Sequence, residues 1–109
     1  MRQAQVLANQ IVAGLLTETD DGHYIFQYDD AYLLDPKCRP IALSFPKRKE
    51  EYVTDELFPF FFNMLSEGAN KAIQCRTLKI DENDSFGLLL ATAHHDTIGA
   101  ITIKEIKQE

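Results

Sequence analysis

Residues 23–28 read HYIFQY, a run in which aromatic side chains occupy every second position. In an extended chain successive side chains point to opposite faces, so Tyr24, Phe26 and Tyr28 share one face and His23, Ile25 and Gln27 the other. The run is therefore a strand. Just upstream, Asp20-Asp21-Gly22 has turn chemistry, because Gly accepts the left-handed conformation and Asp can bond its own backbone. Further back, Gln3 to Ala8 and Ile11 to Thr17 read as two more strands. They flank Asn9-Gln10, the length of a two-residue hairpin loop, although Gln is a poor match to the positive φ such loops require. Residues 3 to 28 thus form a three-stranded antiparallel meander.

Moving downstream, Asp29 to Leu34 suits one helical turn, stopped before Pro36. Between Pro40 and Pro46, IALSF places Ile41, Leu43 and Phe45 on one side, as in a short edge strand or an extended loop. Thr54 offers an N-cap oxygen, with Asp55 and Glu56 in the first turn where the helix dipole favours carboxylates. A helix is expected from about Asp55 to Leu65, and Pro59 must either bend it or mark its true first turn. A second helix covers Ala69 to Leu78. A third starts near Asp84, with Phe86, Leu89, Leu90 and Ala93 at helical spacing. IGAITIKEI closes the chain as a strand in which Ile101 and Ile103 alternate with Thr102 and Lys104. The expected fold class is α+β: a small antiparallel β-sheet, the meander plus the C-terminal strand, covered by about three short helices. At 109 residues the chain, 1–109, is a single domain.

Composition narrows the function. The formal net charge is −6 and the one basic run, Lys47-Arg48-Lys49, is followed by Glu50-Glu51. That run reads as a solvated loop, and direct nucleic-acid or membrane binding is not expected. The two cysteines, Cys38 and Cys75, have no CxxC spacing and read as idle thiols in a reducing compartment. No signal-peptide pattern and no long apolar run occur, so a cytoplasmic location is expected. Phosphate-cradling glycine motifs, GxSxG and HExxH are all absent, which leaves no catalytic residue and no cofactor site to name. His94-His95-Asp96 is the one constellation with catalytic looks. Adjacent histidines diverge on a strand or a helix, however, so a turn is favoured over a metal-dependent hydrolase. Asp81, Glu82 and Asp84 read as residues at the start of a helix, without the ligand spacing of a calcium loop.

The remaining anomaly is FPFFFNMLSEG, residues 58–68, with four phenylalanines, a methionine and a leucine in its first eight positions. At helical spacing these side chains cover an arc of about 200°, wider than one sheet contact needs. Leu57, Phe61 and Leu65 lie at its centre, Phe60 and Met64 at one edge, Phe58 and Phe62 at the other. The other helices can cover the second side; a partner protein is the alternative. Phe60 and Met64, leading into Ser66, Glu67 and Gly68, are the candidate partner-binding residues, because Met adapts to varied contacts.

The succession GLLT (14–17), HYIFQYDDAYL (23–33), PIALSFP (40–46), FFNMLSEG (61–68), DSFGLLLAT (84–92) and HDTIGAITI (95–103) resembles the N-terminal subdomain of HipA-type serine/threonine kinases. Order and approximate spacing match over nearly the whole chain. In that family the matching segments read like PLSLSLP and FFDNLLPEG, so Ser66 stands at a usual proline, Met64 at a leucine and His94-His95 at a Gly-Arg pair. The resemblance implies a subdomain normally fused to a kinase body that carries the nucleotide loop, catalytic Asp and metal ligands. A free-standing version, HipS-like, implies a non-enzymatic antitoxin-like module that docks on a separate HipA-like kinase lacking its N-terminal subdomain and restrains it. A structural subunit bridging that kinase to a helix-turn-helix DNA-binding repressor is the alternative. Cofactors: none are implied.

Overall fold

The hairpin expected around Asn9-Gln10 forms. Strand β1 (Arg2–Ala8) pairs antiparallel with β2 (Ile11–Glu18), and Asn9 and Gln10 adopt φ of 51° and 69°. Positive φ at both loop positions matches the twist of the flanking strands, which overrides the poor preference of Gln for that region. The register steps from Val6↔Gly14 to Leu7↔Val12, leaving Ala13 as a bulge. Its carbonyl accepts the Asp29 N–H at 2.8 Å, which brings the next segment onto the sheet. Strand β3 (Tyr24–Tyr28) pairs with β2 after the Asp20–Gly22 turn, where Gly22 has φ 87°.

The structure is a computed structural model and describes residues 1–65, 68–81, 83–92 and 101–106. Beyond the meander lie α1 (Asp30–Leu34), β4 (Tyr52–Thr54), α2 (Pro59–Phe62), α3 (Gly68–Leu78), α4 (Ser85–Thr92) and β5 (Ile101–Ile106). The sheet runs β4-β3-β2-β1-β5, every pairing antiparallel, and is not closed. The α+β architecture is as expected, with five strands and four helices among the described residues.

One face of the sheet carries the core. Ala4 and Val6 of β1, Leu16 of β2, Phe26 and Tyr28 of β3 and Ile101 and Ile103 of β5 are buried there. Tyr32 of α1, Phe61 of α2 and Phe86, Leu89 and Leu90 of α4 pack against them. Rings make up much of this core: Phe26 lies 5.0 Å from Tyr28, 5.1 Å from Phe45 and 5.8 Å from Phe61, between centroids. Tilted and edge-on pairs of this kind add to what burial alone supplies. Helix α3 is peripheral; its Cys75 is buried, while Ile73 and Leu78 stay exposed.

Two expectations need correction. Of the two readings of IALSF the loop is the one that forms, and its side chains do not share a side: Ile41 and Phe45 are buried but Leu43 is fully exposed. The fourth strand is instead Tyr52–Thr54, so Thr54 ends a strand and caps no helix. The helix expected from Asp55 to Leu65 shrinks to the four residues of α2. Its cause is Pro59, which occupies the first helical position and holds Phe58 at ψ 134°, the extended conformation favoured before proline. No helix can run through residue 58. On the far side, Met64 N–H bonds the Phe61 carbonyl and Leu65 N–H the Phe62 carbonyl, both at 3.1 Å. Such three-residue spacing tightens the chain and ends the α-helix.

Candidate functional site

Because α2 is a single turn, its side chains divide sharply. Phe58 and Phe61 point inward, 9% and 0% exposed, while Phe62 is 44% exposed and Asn63 lies open. Phe61 is core, as expected from its place at the centre of the arc. Leu65 is half-buried against the core, and so are Phe60 and Met64. Phe60 meets Phe61 edge-on at 5.2 Å and Phe45 at 6.1 Å. The phenylalanine that the structure leaves open is therefore Phe62, from the edge opposite the one expected. Of the other candidates, Gly68 begins α3, whereas Ser66 and Glu67 lie outside the described residues, as do Glu82, His94, His95 and Asp96.

Phe62 forms one wall of a cleft of about 470 Å³ between the β2–β3 turn, the approach to α2 and the start of α4. Tyr24, Asp55, Glu56 and Asn63 line it with Phe62, and among the described residues no Lys or Arg does. This combination of an open ring and carboxylates suits a protein segment with apolar and cationic side chains better than an anionic ligand. Among the described residues, no group of three or more His, Cys, Asp or Glu could hold a metal ion. No described helix is long and apolar enough to cross a membrane.

Beside the cleft sits an ion-pair cluster that sequence reasoning missed. The Arg2 guanidinium donates to Asp84 through both terminal nitrogens, at 3.0 and 2.8 Å, and through Nε to Glu18 at 2.8 Å. It also lies 5.2 Å from the Phe86 ring centroid. Tyr24 Oη donates to the second oxygen of Glu18 at 3.1 Å. Burial, then the Glu18 charge, pushes the Tyr24 hydroxyl pKa up. The hydrogen bond from Arg2 holds the Asp84 carboxyl below its ordinary range. Asp84 also caps α4 by accepting the Gly87 N–H at 3.1 Å, and a Cβ at Gly87 would run into the carboxylate. The sequence did contain a signal: strand alternation puts Arg2 on the same face as Ala4 and Val6, where a cation needs partners.

Comparison with known proteins decides the family. A family model described as HipA N-terminal domain matches residues 4–104, nearly the whole chain. This chain belongs to the HipA N-terminal domain family. A solved structure described as the N-terminal domain of HipA toxin superposes with a TM-score of 0.74 at 27% identity, covering 100% of this chain and 96% of that one. An uncharacterized protein of Haemophilus influenzae is 33% identical over 108 residues, 99% of this chain and 96% of the relative. The candidate kinase Y4mE of Sinorhizobium fredii is 30% identical over 98 residues, which are 90% of this chain and only 23% of that protein. The region matched is therefore nearly all of one relative and less than a quarter of another.

Proposed function

We propose that this HipA N-terminal domain is a non-enzymatic regulatory module that docks on a separate HipA-like serine/threonine kinase lacking such a domain and restrains it, as an antitoxin does. The observation that carries this reading is the pair of relatives: the same domain accounts for 96% of the Haemophilus influenzae protein and for 23% of the candidate kinase. Surface that a fused kinase body covers becomes an interface for the same body when the two are separate chains. A face built around α2 fits that role. Phe62 is its open ring, and Phe60 and Met64 are half-buried beside the core. The sequence carries no phosphate-cradling glycine motif, and this reading assigns phosphoryl transfer to the partner.

The test is co-purification of this chain with a HipA-like kinase that lacks its own N-terminal domain, followed by the effect on growth. Direct binding together with relief of the kinase's toxicity is expected. Tight binding with toxicity unchanged favours a bridging subunit, in which a helix-turn-helix DNA-binding protein is the third component.

A further inference from the structure

Residues 35–47, between α1 and β4, form neither strand nor helix, and four side chains hold them. Lys47 Nζ donates to the Asp35 and Cys38 carbonyls, at 3.0 and 2.8 Å, which closes the base. Tyr32 Oη donates to the Arg39 carbonyl, and Tyr52 Oη to the Pro46 carbonyl. Higher up, the buried Tyr28 hydroxyl accepts the Ile41 N–H at 3.1 Å and donates to the Phe45 carbonyl, so one side chain ties both arms together. Ile41 and Phe45 are buried beneath it. This is a compact Ω-like loop with its ends together, a class that is often functional.

At the tip, between the two buried anchors, Leu43 is fully exposed and Ser44 is open. A lone exposed leucine on a mobile loop needs no explanation. Here, by contrast, the tip is held by hydrogen bonds at two levels, and an apolar side chain fixed in advance loses little freedom on entering a pocket. Around the base of the loop the exposed Lys37, Arg39, Arg48 and Lys49 outnumber the exposed Asp35, Glu50 and Glu51, a locally positive stretch on a chain of net charge −6. Like charge elsewhere on this chain and opposite charge here mean that the loop selects an acidic surface.

We infer that the 35–47 loop is a preformed anchor, in which Leu43 enters an apolar pocket rimmed by carboxylates on the kinase partner. This rests on the regulatory reading above and adds the chemistry of the partner's side. It also adds the loop to the contact made by the α2 face, to which it is joined inside the core by Phe45, 6.1 Å from Phe60.

The experiment is a binding titration of the chain, wild type and Leu43→Asp, with a HipA-like kinase chain lacking its own N-terminal domain, at low and high salt. Leu43→Asp should weaken binding by about tenfold or more while thermal melting stays where it was, since Leu43 contributes nothing to the core. Wild-type binding should weaken as salt rises, and Arg39→Glu should weaken it and flatten that dependence. Undiminished binding by Leu43→Asp overturns the anchor and leaves the regulatory reading intact; no binding by the wild type overturns both. Self-association of the wild type that Leu43→Asp abolishes would assign the loop to a second copy of this chain and also overturn the inference.

Discussion

Phe61 and Phe62 are neighbours in the chain and belong to different surfaces of the molecule. Phe61 is wholly buried among Phe26, Phe45, Phe58 and Phe60, so Phe61→Ala leaves a cavity that a small domain cannot collapse. A cost of about 3–5 kcal/mol is expected, a large share of the stability of a chain this size. Phe62→Ala should cost far less, and thermal melting of the two variants checks the contrast. Phe60 stands between them: its ring contacts mean that Phe60→Asp strains the fold as well as any interface. Asp84 carries a pH dependence of definite sign. Arg2 lowers its pKa from the ordinary 3.8, so the native state holds this proton less tightly than the unfolded chain. The resulting stability is present above about pH 4 and is lost as pH falls through the lower folded value. Both partners are more than a third exposed, so solvent screening limits the pair to about 1 kcal/mol. Measured by urea unfolding, the deficit of Asp84→Asn relative to wild type should be constant from about pH 5 to pH 8 and shrink below about pH 4. A deficit that persists unchanged at low pH would mean that Asp84 acts through the helix cap alone.

The elements themselves were legible where one force dominated. Strands β3 and β5 showed in the alternation of apolar side chains, because one face of the sheet is buried there, and β1 and β2 showed as segments flanking the two-residue loop Asn9-Gln10. Helix α4 was legible from its start at Asp84 and its apolar spacing and α1 from the stop before Pro36, whereas α3 was expected at 69–78 without a cap or spacing to mark it. Strand β4 was not, since three residues are too few for alternation to show and Thr54 carries an equally good cap signal. The extent of α2 turned on Pro59, where two readings were open and the geometry before proline selects the shorter one. As for the candidate site, the burial of Phe61 was readable from the arc, while the exposure of Phe62 was not, because helical angles lose meaning beyond a single turn. The loop at 35–47 lay furthest from view: its conformation depends on hydroxyls contributed by β3, α1 and β4, contacts that no local pattern encodes. Burial pushes the Tyr28 pKa up to about 12, so this clamp stays protonated throughout the ordinary range. Tyr28→Phe removes both of its hydrogen bonds and leaves the Ile41 N–H and Phe45 carbonyl without a partner there. A loss of about 1–3 kcal/mol is expected, with faster amide exchange at Ile41. Unchanged exchange at Ile41 would show that the loop is held by its apolar anchors alone.

At the scale of the whole molecule, membership of the HipA N-terminal domain family and an acidic, open-sheeted fold direct attention to surfaces rather than to a catalytic pocket. Two surfaces stand out, the α2 face with Phe62 and its acidic cleft, and the cationic loop crowned by Leu43. Their opposite charges mean that a kinase engaging both must present a complementary pair of patches, which fixes one orientation of docking. The measurement that tests this most directly is the rate of phosphoryl transfer by a HipA-like kinase lacking its own N-terminal domain, followed as this chain is titrated in. The expected result is a saturating fall in rate, reaching its limit when the two chains are equimolar, which Leu43→Asp shifts to higher concentration. A rate unchanged at saturating concentrations of the chain would contradict the account.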